Sequence, residues 1–304
     1  MGNEAFETVS MNGIIFSVII PVYRDLERLL LCLTALSEQI IPIEVFEVLV
    51  INNDLGNELL IPNEFYKKLN VRVYQESRKG SYAARNLGMK KAHGKVLAFT
   101  DADCIPDANW LGNAYNYFEN DSNRKTGILT GPVHLFYKNP NQLSPAELYE
   151  KYTGFTTKAY AKKGHAITAN WFSYREVVEE FGAFDDRLKS NGDSDLSGKI
   201  ASKYKIIYKE NIIVHHPARH EAMDLVNKYR RLLGGTFTRK YQKRSIPFGG
   251  HVLDFIWRRY RFALKKLFTV SSKEALAILY VCHAINVGAL KEYYSLLKGN
   301  ETKR

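Results

Sequence analysis

The stretch Lys95-Val-Leu-Ala-Phe-Thr-Asp-Ala-Asp103 decides how the rest of the chain is read. Lys95 to Thr100 reads as a strand of a buried parallel sheet. It runs straight into Asp101 and Asp103, two carboxylates at a strand end that can converge on one divalent cation and its nucleotide ligand. Working outward, Ile14 to Tyr23 and Phe46 to Ile51 are two more buried runs. Leu26, Leu29, Leu30, Leu33 and Leu36 between them are spaced as one face of a helix capped by Asp25. Val71 to Tyr74 reads as a further strand, and Ser81 to His93 as a helix ended by Gly94. This alternation specifies an α/β, Rossmann-like, mostly parallel sheet flanked by helices. In such sheets ligands bind outside the carboxyl ends of the strands.

Further along, Ile128 to Tyr137 is expected as a strand and Pro145 to Ala161 as a helix. Ser173-Tyr-Arg-Glu176 has capping-box spacing and predicts a helix running to Gly182. Asn211 to Val214 reads as a strand leading into His215-His216-Pro217. Beyond His220 the pattern is helical throughout. The apolar stretch Ala275 to Leu290 is interrupted by His283 and Asn286. At about 16 residues it falls short of the ~20 that a spanning helix needs, so no transmembrane segment is expected. The polar start, MGNEAFETVSMNG, has no apolar signal core, and Phe6 stands where a myristoylation signal wants Ser or Thr. The expected organisation is a frayed 1–13, a catalytic domain over 14–220, and a basic, helical C-terminal region over 221–304.

The charge is unevenly divided. Of 43 Lys+Arg and 32 Asp+Glu in 304 residues, 18 basic and six acidic residues fall from Arg219 onward, a net +12. The preceding 218 residues carry 25 and 26, a net −1. The basicity thus belongs to the C-terminal region, which points to an acidic surface as its partner. Trp257 to Phe268 mixes aromatics with cations at helical spacing, the composition of helices that lie in the headgroup region of anionic membranes. A packed or self-associating appendage, giving a homo-oligomer, is the other expectation. Cys32, Cys104 and Cys282 are odd in number and far apart, which excludes a disulfide scaffold or a CxxC zinc module and fits a reducing compartment.

In Arg78-Lys-Gly-Ser-Tyr-Ala-Ala-Arg-Asn-Leu-Gly88 a basic glycine turn opens a helix, and such helix starts favour phosphate. With this segment in place, the chain resembles the family-2 glycosyltransferases with the GT-A fold. The resemblance runs in order through Ser17-Val-Ile-Ile-Pro-Val-Tyr23, Ala84-Arg-Asn-Leu-Gly88, Asp101-Ala-Asp103, Thr168-Ala-Asn-Trp-Phe-Ser-Tyr-Arg175, Phe181-Gly-Ala-Phe-Asp185, Gly192-Asp-Ser-Asp195 and His216-Pro217. It implies a nucleotide-sugar donor, with a UDP- or GDP-sugar expected, a divalent metal (Mn2+ or Mg2+), and inversion at the anomeric carbon.

Position by position, the resemblance places Pro21 and Tyr23 in the nucleotide pocket and Lys79 and Arg85 near the base or phosphates. Asp101, with Ala102 beside it, would meet the ribose or sugar, and Asp103 the metal, joined there by His216. Asn52 stands where the family usually has a base-contacting Asp; its amide can still pair with a base edge, and Asp54 is the alternative. Asn170 and Trp171 would contact donor sugar or acceptor. Asp193 takes the position of the catalytic base, which must accept the proton of the attacking hydroxyl, and Asp195 is expected beside the acceptor.

Two other functions compete. A nucleic-acid-binding protein gripping phosphates with its tail leaves the Asp101/Asp103 pair unexplained and lacks any known nucleic-acid-binding pattern, so no nucleic acid is expected. A sugar nucleotidyltransferase would want a glycine-rich loop after the first strand, where Pro21-Val-Tyr23 stands. Processive synthases add a QxxRW element and several membrane helices, neither of which is found. The expectation is therefore transfer of one sugar per encounter to a glycan or lipid-linked acceptor in surface polysaccharide or glycan assembly. The enzyme is expected to be cytoplasmic, peripheral at the inner face of the cell membrane.

Overall fold

The computed structural model describes residues 15–241 and 248–302. The 1–13 segment, Lys243 and Arg244 lie outside the described residues. Four strands, β1 (Phe16–Val22), β2 (Phe46–Asn52), β3 (Val71–Gln75) and β4 (Val96–Phe99), pair in parallel in the order β3-β2-β1-β4. The sheet continues through β8 (Trp171–Tyr174), antiparallel to both β4 and β6 (Thr126–Thr130), and ends with β9 (Lys205–Tyr208) parallel to β6. A smaller sheet of β5 (Ile105–Pro106), β10 (Val214–Pro217) and β7 (Val133–Phe136) stands beside it. Every residue of β2 and β4 is buried, as their apolar runs require.

The flanking helices are α1 (Leu26–Ser37), α2 (Asn63–Lys68), α3 (Ser81–Lys91), α4 (Trp110–Glu119), α5 (Pro145–Thr153), α6 (Thr157–Ala161), α7 (Arg175–Phe181) and α8 (Gly192–Ala201). Three more, α9 (Ala222–Thr236), α10 (Phe248–Lys266) and α11 (Ser272–Leu297), complete the fold. The last group is not a separate appendage. Ala146 and Tyr149 of α5 share one apolar core with Leu225 of α9 and Ile278 and Cys282 of α11.

Several local expectations are corrected. The strand expected over 128–137 is two strands, β6 and β7, because Gly131-Pro132 lets the chain change sheets. The expected 145–161 helix breaks at Gly154 into α5 and α6. Ser173 caps nothing: its hydroxyl lies inside β8, donating to the Gly127 carbonyl at 2.6 Å and accepting from the Trp171 indole at 2.7 Å. Burial of β8 against β4 overrides the local capping pattern, and α7 starts two residues later. A capping box does form at Ser144 and Glu147, opening α5. His215 and His216 lie within a strand rather than after one, and Asp25 precedes α1 without a side-chain cap bond.

The basic region also folds differently from a uniformly solvated face. Arg259 stacks on Tyr229 and Phe255, about 4 Å from each ring centre, and Lys266 lies 3.6 Å from the centre of Tyr152. Arg230 pairs with buried Glu292 at 2.9 Å. Helix α11 reaches 26 residues, longer than its apolar stretch, and is long and apolar enough to cross a membrane by length and composition. Its inner side, with Val281, Cys282 and Ile285, is buried against the other helices, as in the core helix of a bundle.

Candidate active site

Three lobes lie along the carboxyl ends of β1, β2 and β4, the second and third sharing one wall. The first, about 250 Å³, is lined by Tyr23, Arg24, Asn53, Asp54, Ser77 and Lys79. Its floor is rigid. The Asn53 amide donates to the Glu76 and Arg78 carbonyls and its oxygen accepts from Gly80 N–H at 2.7 Å. Gly80, at φ +127°, takes the turn into α3 that a side chain would strain. The Arg24 guanidinium, 2.8 Å away and helped by Asn57, holds the Asp54 carboxyl down at about 2, so Asp54 is anionic across the working pH range.

Asn52 is a correction. It is buried, and its amide is spent on the Asn57 carbonyl and Gln75 while its oxygen accepts from Asp54 N–H. It shapes the lobe without facing it. Pro21 sits half-buried at the end of β1, behind Tyr23, and does not line this lobe. Tyr23 and Lys79 do.

The second lobe, about 300 Å³, is lined by Tyr82, Arg85, Asp101, Thr168, Asp193 and Arg231 among others. Helix α3 organises it from its first two turns, through Tyr82, Arg85 and Asn86. Buried Arg85 reaches Asp101 in a tight ion pair. Asn86 exchanges two hydrogen bonds with the backbone of Phe184, fixing the loop that leads to α8. The Tyr82 hydroxyl accepts from Gly192 N–H at 2.9 Å and points at Asp193 from 3.4 Å. A Cβ at Gly192 would sit 2.7 Å from the Tyr82 ring, so glycine alone permits this approach.

Asp193 lies in the first turn of α8 and accepts from Ser194 N–H at 2.8 Å. Burial pushes its pKa above the ordinary aspartate value, with Asp101 adding to the rise and Ser194, Arg85 and Tyr82 opposing it. A carboxylate so poised is a better proton acceptor than a solvated one. Burial also raises the Tyr82 phenol, so it stays protonated as a donor to Asp193. Nothing in the sequence context of Tyr82 marks it for this role. Asp195 turns away to pair with Lys199 at 2.7 Å, one helical turn on, and lines no lobe, which corrects its expected place beside the acceptor.

The third lobe is the largest, about 690 Å³, lined by Arg28, Asp103, His216, Arg219, Lys228 and Arg231 with others. Asp103 stands where it meets the second. Ala102, between the two aspartates, turns its methyl into the core, which corrects its expected donor contact. Carboxylate oxygens of Asp101 and Asp103 and the Cys104 sulfur all lie within 4.8 Å of one another. Cys104 is buried, and burial raises its thiol well above the usual range, so it offers no thiolate. The His216 Nε2 is 3.5 Å from Asp103. Its Nδ1 is 2.7 Å from the Pro217 carbonyl, which can only accept, so Nδ1 carries a proton and Nε2, on the Asp103 side, is the nitrogen that can offer a lone pair to a cation. Carboxylate and imidazole lone pairs aimed at one point are a donor set that fits a divalent cation.

Asn170 and Trp171 are corrected as well. Both are fully buried. The Asn170 side chain accepts from the Trp110 indole at 3.0 Å and donates to the Pro132 and Ile212 carbonyls, latching the two sheets together. Neither residue lines a lobe. The polar-aromatic pair mimics a sugar contact in sequence, but here it is core.

The model of the family described as Glycosyl transferase family 2 matches residues 17–182, more than half the chain. The chain belongs to glycosyl transferase family 2. Among curated relatives, the glycosyltransferase AglE of Haloferax volcanii is 34% identical over 209 residues, 67% of each chain. The minor teichoic acid biosynthesis protein GgaB of Bacillus subtilis is 26% identical over 62% of this chain, but the match spans only 21% of GgaB. Among solved structures, the mannosyltransferase PcManGT of Pyrobaculum calidifontis, in complex with GDP-Man and Mn2+, aligns with a TM-score of 0.63 at 18% identity, covering 96% of this chain and 89% of that one. Staphylococcus aureus TarS 1–349 with UDP-GlcNAc aligns at 0.53 and 17% identity, covering 94% and 93%. The fold is thus that of GT-A glycosyltransferases with C-terminal helices, and the protein is a glycosyltransferase.

Proposed function

We propose that this glycosyltransferase moves one sugar, with inversion, from a UDP- or GDP-sugar to an acceptor hydroxyl, and needs a divalent metal. The observation that carries the reading is the union, in one cleft, of Asp101, Asp103 and the His216 lone pair with the desolvated carboxylate of Asp193. Two of the solved neighbours support the donor class, since one holds GDP-Man with Mn2+ and the other UDP-GlcNAc.

The chain's own residues would divide the work as follows. Tyr23, Asp54 and Lys79 take the base, and Arg85 orders Asp101 toward the ribose or sugar. Asp103 and His216 hold the cation. Bound there, Mn2+ or Mg2+ supplies positive charge to the leaving diphosphate. As the acceptor oxygen bonds to the anomeric carbon, the bond to the diphosphate breaks and its electron pair leaves with the phosphate. The hydroxyl proton passes to Asp193, which Tyr82 and the α8 N-terminus hold in place. Attack from the face opposite the diphosphate inverts the centre. Slow hydrolysis of the donor by water tests this without knowing the acceptor. Proton NMR of α-linked UDP-GlcNAc or GDP-Man should show the β-anomer released first. The α-anomer first would overturn inversion.

The acceptor is a glycan or a lipid-linked chain in surface polysaccharide or glycan assembly, met at an anionic membrane on its cytoplasmic face. The outer sides of α10 and α11 supply the support. Trp257, Leu264 and Phe268 are exposed on or just after one, and Leu276, Tyr280, Leu290, Tyr294 and Leu297 on the other. The Tyr260 hydroxyl meets His283 at 2.9 Å, which brings the two stripes onto one surface. Its exposed charges are cationic apart from Asp254, which Arg258 neutralises. A second copy there would set like charges together, whereas anionic lipid gains about 1 kcal/mol per cation. The protein should co-sediment with phosphatidylserine liposomes at low salt and release as salt rises. Replacing Trp257, Arg261, Lys265 and Phe268 by Gln should abolish this, with Arg259 and Lys266 left intact because they pack inward. Failure to bind at low salt, with a dimer instead in sedimentation, would make the surface a self-association face.

A further inference from the structure

The proposed reaction uses the largest lobe only at its Asp103–His216 edge. Nucleobase and sugar are accounted for by the first two lobes, yet about 690 Å³ remains beyond Asp103, reaching to Phe136, Lys138 and Asp224 on the far side from Tyr23 and Lys79. The wall it shares with the second lobe is made by His216, Arg219, Lys228 and Arg231. Arg219, Lys228 and Arg231 come from the β10–α9 corner, part of the charge that sequence alone assigned to a membrane surface.

The corner is built around a buried carboxylate. Glu150 of α5 is 2% exposed and bonds Arg219 N–H at 2.8 Å, the Arg219 guanidinium at 2.9 Å and Lys228 Nζ at 3.0 Å. Burial alone would raise its pKa, but Lys228 and Arg219 more than reverse that and hold it below the usual range. One carboxylate against two cations leaves a positive charge over. Arg231, one turn after Lys228 on the same face of α9, adds a second. Among the described residues its guanidinium makes no hydrogen bond or ion pair, so its five N–H donors stand free in the cleft. Glu27, Asp103 and Asp224 also line the lobe, but at this wall the cations outnumber the carboxylate they share, and a surplus of donors with a planar fork among them suits a phosphate, which accepts two parallel bonds from arginine.

We propose that this third lobe binds a phosphate group carried by the acceptor, held by Arg219, Lys228 and Arg231, with Glu150 positioning the first two. The specificity of the enzyme is then for a hydroxyl with a phosphate nearby, as in a phosphodiester-linked polymer or a lipid phosphate. The proposal rests on the reading of Asp101 and Asp103 as the donor site.

The same cations could otherwise serve the donor's own diphosphate, and competition separates the two sources. Calorimetric titration with UDP or GDP plus Mn2+ comes first and reports on the donor site alone. The nucleotide-saturated protein is then titrated with sn-glycerol 3-phosphate. It should still bind, and Arg231→Gln should weaken that binding about tenfold to a hundredfold, as expected for a lost charged hydrogen bond. Nucleotide affinity should change less than about threefold. Arg231→Lys, which keeps the charge but not the fork, should fall between. If glycerol phosphate binds only the nucleotide-free protein, the lobe belongs to the donor and the proposal fails. Unchanged binding in Arg231→Gln sinks it equally. Absence of nucleotide binding would instead show up in the first titration, as failure of the donor reading.

Discussion

Asp193→Asn should lower sugar transfer by roughly 10²- to 10⁴-fold, the usual contribution of general base catalysis. The amide keeps the shape and can still accept from Ser194 N–H, so donor affinity should hardly change. Its effect on stability should run the other way. Burial raises the folded-state pKa of Asp193 above its unfolded value, so the native state binds this proton more tightly than the unfolded chain does. The stability it contributes is full below the unfolded pKa and is lost as pH rises through the folded one. Above the folded pKa the ionised carboxylate is therefore a burden on the fold, and there the neutral amide should melt at the same temperature or higher. Transfer by the native enzyme should fall on the acid side as Asp193 takes up its proton, at a pH above the ordinary aspartate range, and the variant should lack this limb. A variant with near-normal turnover would move the base elsewhere.

How much of this was legible in the sequence depends on the range of the interaction involved. Strands β1, β2 and β4 were readable because burial on both faces demands continuous apolar residues. Asp101 and Asp103 were readable because a strand end fixes where they point. The segment Trp171–Tyr174 was misread because a local capping pattern coincided with four residues whose fate is set by pairing with β4, about 75 positions earlier in the chain. Asn170 was misassigned for a related reason. A buried amide bridging Trp110, Pro132 and Ile212 has partners from three distant segments, and its composition is indistinguishable from a sugar contact. Tyr82, Arg219, Lys228 and Arg231 were missed as cleft residues because only the packing of α3, α5 and α9 brings them together. Net charge located the cations in the C-terminal region but could not divide them between cleft and outer surface.

The second large effect is expected at Asp103, which also carries the central claim that the cleft holds a nucleotide through a divalent cation. Its carboxylate faces the His216 lone pair, and removing it takes away the charged half of that donor set while Arg85 keeps Asp101 in place. The direct measurement is the melting temperature of wild type and Asp103→Ala with UDP, GDP and their sugars, each with and without Mn2+. Ligand at a hundred times its dissociation constant adds about 2.7 kcal/mol to the native state, or about 5 °C for a chain of this size. The account predicts such a rise for wild type with at least one nucleotide, dependent on Mn2+, and none for Asp103→Ala. No rise with any of them in wild type, or an equal Mn2+-dependent rise in the variant, would contradict it.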